Sequence, residues 1–190
     1  DGIRDVAVTG VQTCALPIYP CPCGYYNHPT TECTCPPGNI MRYLSKVSGP
    51  LMDRIDLHVE VSPIQINDPS NIPNASESSA TIRERETKAR LIEKTRSQKD
   101  GFEQIHNNSQ IPSKFIQQLC HLKPQSHQLL TSAMSRLNLS ARAYHRILKV
   151  ARTIADLGNE LDILPEHVAE AIQYRSLDRS RWGNSSTGLS

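Results

Sequence analysis

Apolar positions along the chain fall into two regimes. Up to residue 62 their spacing changes every few residues, and from residue 77 it settles to a helical period. Residues 1–18 (DGIRDVAVTGVQTCALPI) show neither a helical stripe nor sustained alternation. They read either as translated sequencing-adapter read-through, set apart from fold reasoning, or as an ordinary N-terminal strand and turn. A compact Cys/Pro/Gly segment follows at residues 20–38. Residues 39–47 predict a short helix, with Ile40, Tyr43, Leu44 and Val47 at helical spacing. Ser48-Gly49-Pro50 breaks it, and residues 51–55 have room for one more turn. In residues 56–62, Leu57, Val59 and Val61 alternate with Asp56, His58 and Glu60. That period of two predicts a strand with one buried face. Residues 63–76 are rich in Pro, Asn and Asp and predict a loop.

The second regime predicts helices at 77–98, 112–122, 124–137, 140–157 and 165–174, with a polar connection at 100–111. Pro112, Pro124 and Pro165 stand where a first helical turn tolerates a missing N–H. Ser140 is a candidate N-cap and Gly158 a candidate stop. Residues 177–190 are Arg/Ser/Gly-rich and predict a flexible tail.

One strand cannot stand alone, because its ladder groups and apolar face need neighbours. The pattern therefore predicts the tail of a larger α/β domain followed by an all-helical domain. The expected division is 19–62 for the end of the α/β core, 63–76 for a linker and 77–176 for the helical part.

Composition narrows the function. The 190 residues carry 21 Lys+Arg against 19 Asp+Glu, a net charge of +2, which disfavours a strongly basic nucleic-acid wrapper or an acidic tail protein. Hydrophobic residues make up 37% and aromatics 5%, enough for a lean core. No apolar run is long enough to span a bilayer, and residues 1–18 lack the charge and hydrophobic order of a secretory signal. The expectation is a cytoplasmic protein with no membrane partner, its cysteines thiols or metal ligands rather than a disulfide framework.

Four of the six cysteines form two close pairs, Cys21/Cys23 and Cys33/Cys35, in a C-x-C-x9-C-x-C spacing. Two thiolate pairs joined by a hairpin supply four sulfurs to a structural Zn2+. The tight C-x-C turn needs Gly or Pro, and Gly24 and Pro36-Pro37 provide them. Free thiols and disulfides are the alternatives, and His28 stands within the loop as a possible substitute ligand.

Arg54 lies between Asp53 and Asp56 just before the predicted strand. It reads either as a local ion pair or as a guanidinium offered at a subunit edge to a neighbour's nucleotide. On a helical wheel of residues 140–157, Tyr144, Ile147, Leu148, Ala151, Ile154 and Ala155 share one face. Arg142, Arg146 and Lys149 lie opposite, with Arg152 on the flank. The basic face is either solvated or in contact with phosphate. From residue 136 to 155 there are five Lys/Arg and no acidic residue, which favours phosphate. The sequence contains no phosphate-cradling G-x-x-x-x-G-K-[ST] loop.

PCPCGYYNHPTTECTCPPGNIMRYLSKVSGPLMDRIDLHVEV resembles the magnesium-chelatase-like AAA+ ATPases of the YifB/ComM group. So do ESSATIRERETKAR, LSARAYHRILKVARTIADL and PEHVAEAIQYRSLDR, and the likeness runs from about residue 20 to residue 179. The resemblance implies a P-loop α/β ATPase module with a helical lid, assembled as a ring, commonly a hexamer. ATP and Mg2+ would sit between subunits. It implies that Arg54 is the arginine finger acting on the neighbour's nucleotide. It implies that Arg142 is the sensor 2 arginine contacting phosphate from its own subunit, with Arg146 and Arg152 as weaker candidates. It likens Cys21, Cys23, Cys33 and Cys35 to a zinc-finger-like insertion, and it links the ComM group to branch migration on DNA. Tyr19 departs from the pattern, since the group places a γ-phosphate-sensing Asn there. The Walker motifs are also missing, so the expectation is a C-terminal portion that is inactive alone. The alternative is a non-enzymatic, zinc-stapled module that binds nucleic acid or protein.

Overall fold

The computed structural model describes residues 18–61, 77–99 and 101–175. Expectations for residues 1–17, 62–76 and 176–190 lie outside the described residues. The described chain forms two compact units, residues 18–47 and residues 48–175.

In the first unit a Cys-rich loop leads into α1, Pro37–Leu44. Pro37 occupies the first turn, where its absent N–H costs nothing. Ile40 and Leu44, four residues apart, are the buried pair of the helix.

The second unit begins with α2, Gly49–Met52, capped by Ser48 Oγ accepting from the Leu51 N–H at 3.3 Å. Helix α3, Ser79–Lys99, starts where Ser78 Oγ accepts from the Thr81 N–H at 3.2 Å. Its weak amphipathicity has a simple origin. The buried positions are Ala89, Glu93 and Ser97, a stripe of small and polar residues at i, i+4 and i+8. The predicted helix at 112–122 is instead a 3-10 turn, Ser113–Phe115, followed by the single α-turn α4, Ile116–Leu119. Helix α5 spans Pro124–Arg136, α6 spans Ala141–Leu157 and α7 spans Pro165–Gln173.

Helix α6 is central, packing against α3, α4 and α7, while α5 packs on α7. Ile147, Leu148 and Ala151 of α6 meet Leu130, Ile116, Ile163 and Val168 in one apolar cluster. Ser140 caps α6 as predicted, accepting from the Ala143 N–H at 3.2 Å. Gly158 is the C-cap that ends α6, as expected. Gly158 keeps right-handed backbone at φ −80°, and Asn159 makes the left-handed turn at φ +59°.

The predicted core strand is corrected. Described residues 56–61 are not in a strand, and the β pairing among the described residues is an isolated parallel bridge between Leu122 and Ile163. Burial is also inverted. Leu57, Val59 and Val61 are 47%, 63% and 85% exposed, whereas His58 is 7% exposed. An alternating face is buried only against a second layer, and no strand lies beside this one among the described residues. The helical domain of the expected fold is present; among the described residues a last core strand is not.

Candidate functional site

Gly24 turns the first Cys pair back on itself. Its N–H donates to the Cys21 carbonyl at 3.1 Å and its φ is +82°, a conformation that disfavours any side chain. The Sγ atoms of Cys21, Cys23, Cys33 and Cys35 all lie within 4.8 Å of one another. Cys21–Cys23, Cys23–Cys33 and Cys21–Cys33 are separated by 3.3, 3.5 and 3.8 Å, and all four residues are free of disulfides. A tetrahedral Zn–S4 centre with bonds of about 2.3 Å has edges of about 3.8 Å, so the donor set fits zinc in number, chemistry and spacing.

Cys23 is lowered to about 6, first by the Tyr25 backbone N–H and then by neighbouring sulfurs, against burial. Cys33 goes the other way, to about 12; the Cys35 backbone N–H pulls it down, but burial and the sulfurs of Cys23 and Cys21 outweigh it. Packed sulfurs resist shared ionisation, and a dication at their centre removes that conflict. His28 is engaged elsewhere, its Nδ1 accepting from the Thr30 and Thr31 N–H groups at 3.3 and 3.0 Å.

The second unit carries a cleft of about 750 Å3. Four cationic side chains line it: Arg54 from the turn after α2, and Arg142, Arg146 and Lys149 from α6. The wheel had grouped the α6 trio; nothing in the local pattern placed Arg54 beside them. Leu57, Ile116, Val150 and Ile154 form its apolar wall. Arg54 and Arg142 are exposed, and Asp56 is paired with Arg146. Burial, and then the charge of Arg175, lowers the pKa of Arg146, with Asp53 opposing. Lys149 Nζ donates to the Ser109 carbonyl at 2.8 Å, and burial is the main force lowering its pKa. Cations crowded at a half-buried wall are suited to a multiply charged anion.

Arg152 does not join this wall. It is 3% exposed, donates Nη1 to the Leu161 carbonyl at 2.8 Å and Nη2 to the Glu160 carbonyl at 2.6 Å, and pairs with Asp156 at 3.0 Å. Asp156 also receives Arg96 at 2.5 Å, and Asn108 Nδ2 bridges Asp156 and Glu93 at 2.8 Å each. This network joins α3, the 3-10 turn Asn108–Gln110 and α6. It was invisible to the wheel, which sets Arg152 on the flank and carries no information about carbonyls beyond the end of α6. The acid four residues after Arg152 was the available signal.

Among the described residues, no helix is long and apolar enough to cross a membrane.

Two family profiles match this chain. "Magnesium chelatase, subunit ChlI C-terminal" covers residues 76–175, and "Magnesium chelatase, subunit ChlI" covers residues 10–68. The second match begins inside the stretch 1–18 that the pattern set apart. Among curated relatives, "Competence protein ComM" of Haemophilus influenzae is 41% identical over 160 residues, 84% of this chain and 30% of the relative. "Uncharacterized protein YifB" of Escherichia coli is 38% identical over 162 residues, again 84% of this chain and 30% of the relative. The chain thus spans about a third of the length of the curated relatives it matches. On these matches, over most of its length, the chain belongs to the magnesium chelatase ChlI family, as a ComM- and YifB-like magnesium-chelatase-like protein.

Proposed function

We propose that the chain supplies the arginine finger and the helical lid of a ring-forming AAA+ ATPase that couples ATP hydrolysis to remodelling of DNA. One observation carries this reading: Arg54, Arg142, Arg146 and Lys149 converge on a single cleft. A transferring phosphoryl group spreads charge over its oxygens, and fixed guanidinium groups stabilise that charge without reorganising. The family resemblance assigns Arg54 to a neighbour's nucleotide and Arg142 to its own. A shared cleft favours one phosphate cluster for both, at the boundary between subunits. Arg152, committed to Asp156 and two carbonyls, serves the lid's architecture in this reading. Mg-ATP itself is held by the family's P-loop core. DNA as substrate rests on the ComM-group resemblance, and the four sulfurs hold a structural zinc.

The experiment is ATP turnover by the full-length, assembled protein carrying Arg54→Ala, Arg142→Ala or both. Loss of an arginine finger costs roughly 10³–10⁵ in rate. Two arginines acting on one phosphate group are not independent, so the double variant should lose less than the product of the two single losses. Turnover unaffected by Arg54→Ala in intact rings contradicts the reading.

A second reading, a non-enzymatic module on nucleic acid, draws on the same cations and the same sulfurs. Under it, DNA affinity of this chain alone falls steeply with salt, with a slope counting the phosphates met by the cleft.

A further inference from the structure

Arg175 is the largest of the fully buried side chains among the described residues, at 1% exposed, and it follows the end of α7. Its guanidinium reaches far along the sequence. Nη1 donates to the Ile55 carbonyl, and Nη2 approaches the Met52 carbonyl at 3.4 Å. Those two carbonyls bracket Arg54. The neighbouring residue adds a second tie, since the His58 N–H donates to the Tyr174 carbonyl at 2.7 Å. A third comes from α6, where Arg146 pairs with Asp56. The short turn that presents Arg54 is therefore held by the lid helices at three points within seven residues. A buried guanidinium must be fully engaged, because leaving it short of acceptors is costly, so it fixes the carbonyls it serves.

We infer that Arg175 is a positioning residue for Arg54, locking the turn from Met52 to Ile55 onto the end of α7 so that lid and finger move as one piece. This rests on the reading of Arg54 as an arginine finger, and it adds that the finger is set by the lid.

Hydrogen exchange on the 190-residue chain reads the clamp itself. Arg175→Gln should speed exchange of the His58 amide by about tenfold or more, while core amides of α5 and α6 keep their rates. Unchanged His58 exchange overturns the clamp. Should Arg175→Gln unfold the helical unit, Arg175→Lys keeps the charge and the stem but not the fork, and gives the same readout in milder form. In the full-length ring, Arg175→Gln should lower kcat by roughly 10²-fold with KM for ATP held, since an ångström of misplacement costs about that much. Arg175→Lys should recover part of the loss, and Arg175→Gln should cost nothing further in a chain already carrying Arg54→Ala. A rise in KM with kcat held, or a full additional loss on top of Arg54→Ala, overturns the positioning role. If Arg54→Ala leaves turnover intact while His58 exchange still answers to Arg175, the arginine-finger reading falls and the clamp alone stands.

Discussion

Cys33 illustrates how a residue's neighbours set its chemistry. Its thiol is pushed up to about 12 by burial and by adjacent sulfurs, despite the N–H of Cys35. Zinc binding would draw the proton off, so metal affinity should weaken as pH falls. Cys33→Ser should reduce bound zinc from about one per chain to background by elemental analysis, because a hydroxyl is a poor replacement for a thiolate in a closed S4 site. Full zinc content in that variant would remove the site. The C-x-C pairs were legible in the sequence as two close thiol pairs flanked by the turn-formers Gly24 and Pro36-Pro37, with free thiols and disulfides as the alternatives; the structure brings the four sulfurs together. Arg152 was not legible. A wheel assigns it to the flank, whereas the Glu160 and Leu161 carbonyls past the end of α6 draw it inward. Such an interaction depends on where the chain turns, which periodicity does not encode.

Among elements, α6 matched its pattern most closely because one helix decides its own stripe, cap and length. The buried set Ile147, Leu148, Ala151 and Ala155 is the apolar face that spacing predicts. Residues 56–61 failed because a strand is decided by its neighbours, and Leu57, Val59 and Val61 face outward without one. Helix α3 depends on its polar seam, with Asp156 compensating Arg96 and Arg152 at 0% side-chain exposure. Asp156→Asn leaves two guanidinium groups partly uncompensated at that seam. It should destabilise the helical unit by about 3–5 kcal/mol in urea unfolding, the cost of breaking a buried ion pair. A loss below about 1 kcal/mol, the worth of an exposed pair, would mean that the network is superficial.

At the scale of the molecule, the parts divide between a Cys-rich loop and a helical domain whose cationic cleft takes in the turn before residue 56. Neither part carries a P-loop. In the proposed ring each nucleotide is completed by residues of two chains, a cradle from one and Arg54 from the next. The central claim is that Arg54 works in trans, and mixing subunits tests it most directly. Full-length protein with Arg54→Ala is combined with full-length protein whose P-loop lysine is replaced, each inactive alone, and ATP turnover of the co-assembled rings is measured. The account predicts recovery of turnover on mixing, because an intact cradle then meets an intact arginine across the boundary. Confirmed co-assembly with no recovery would contradict it.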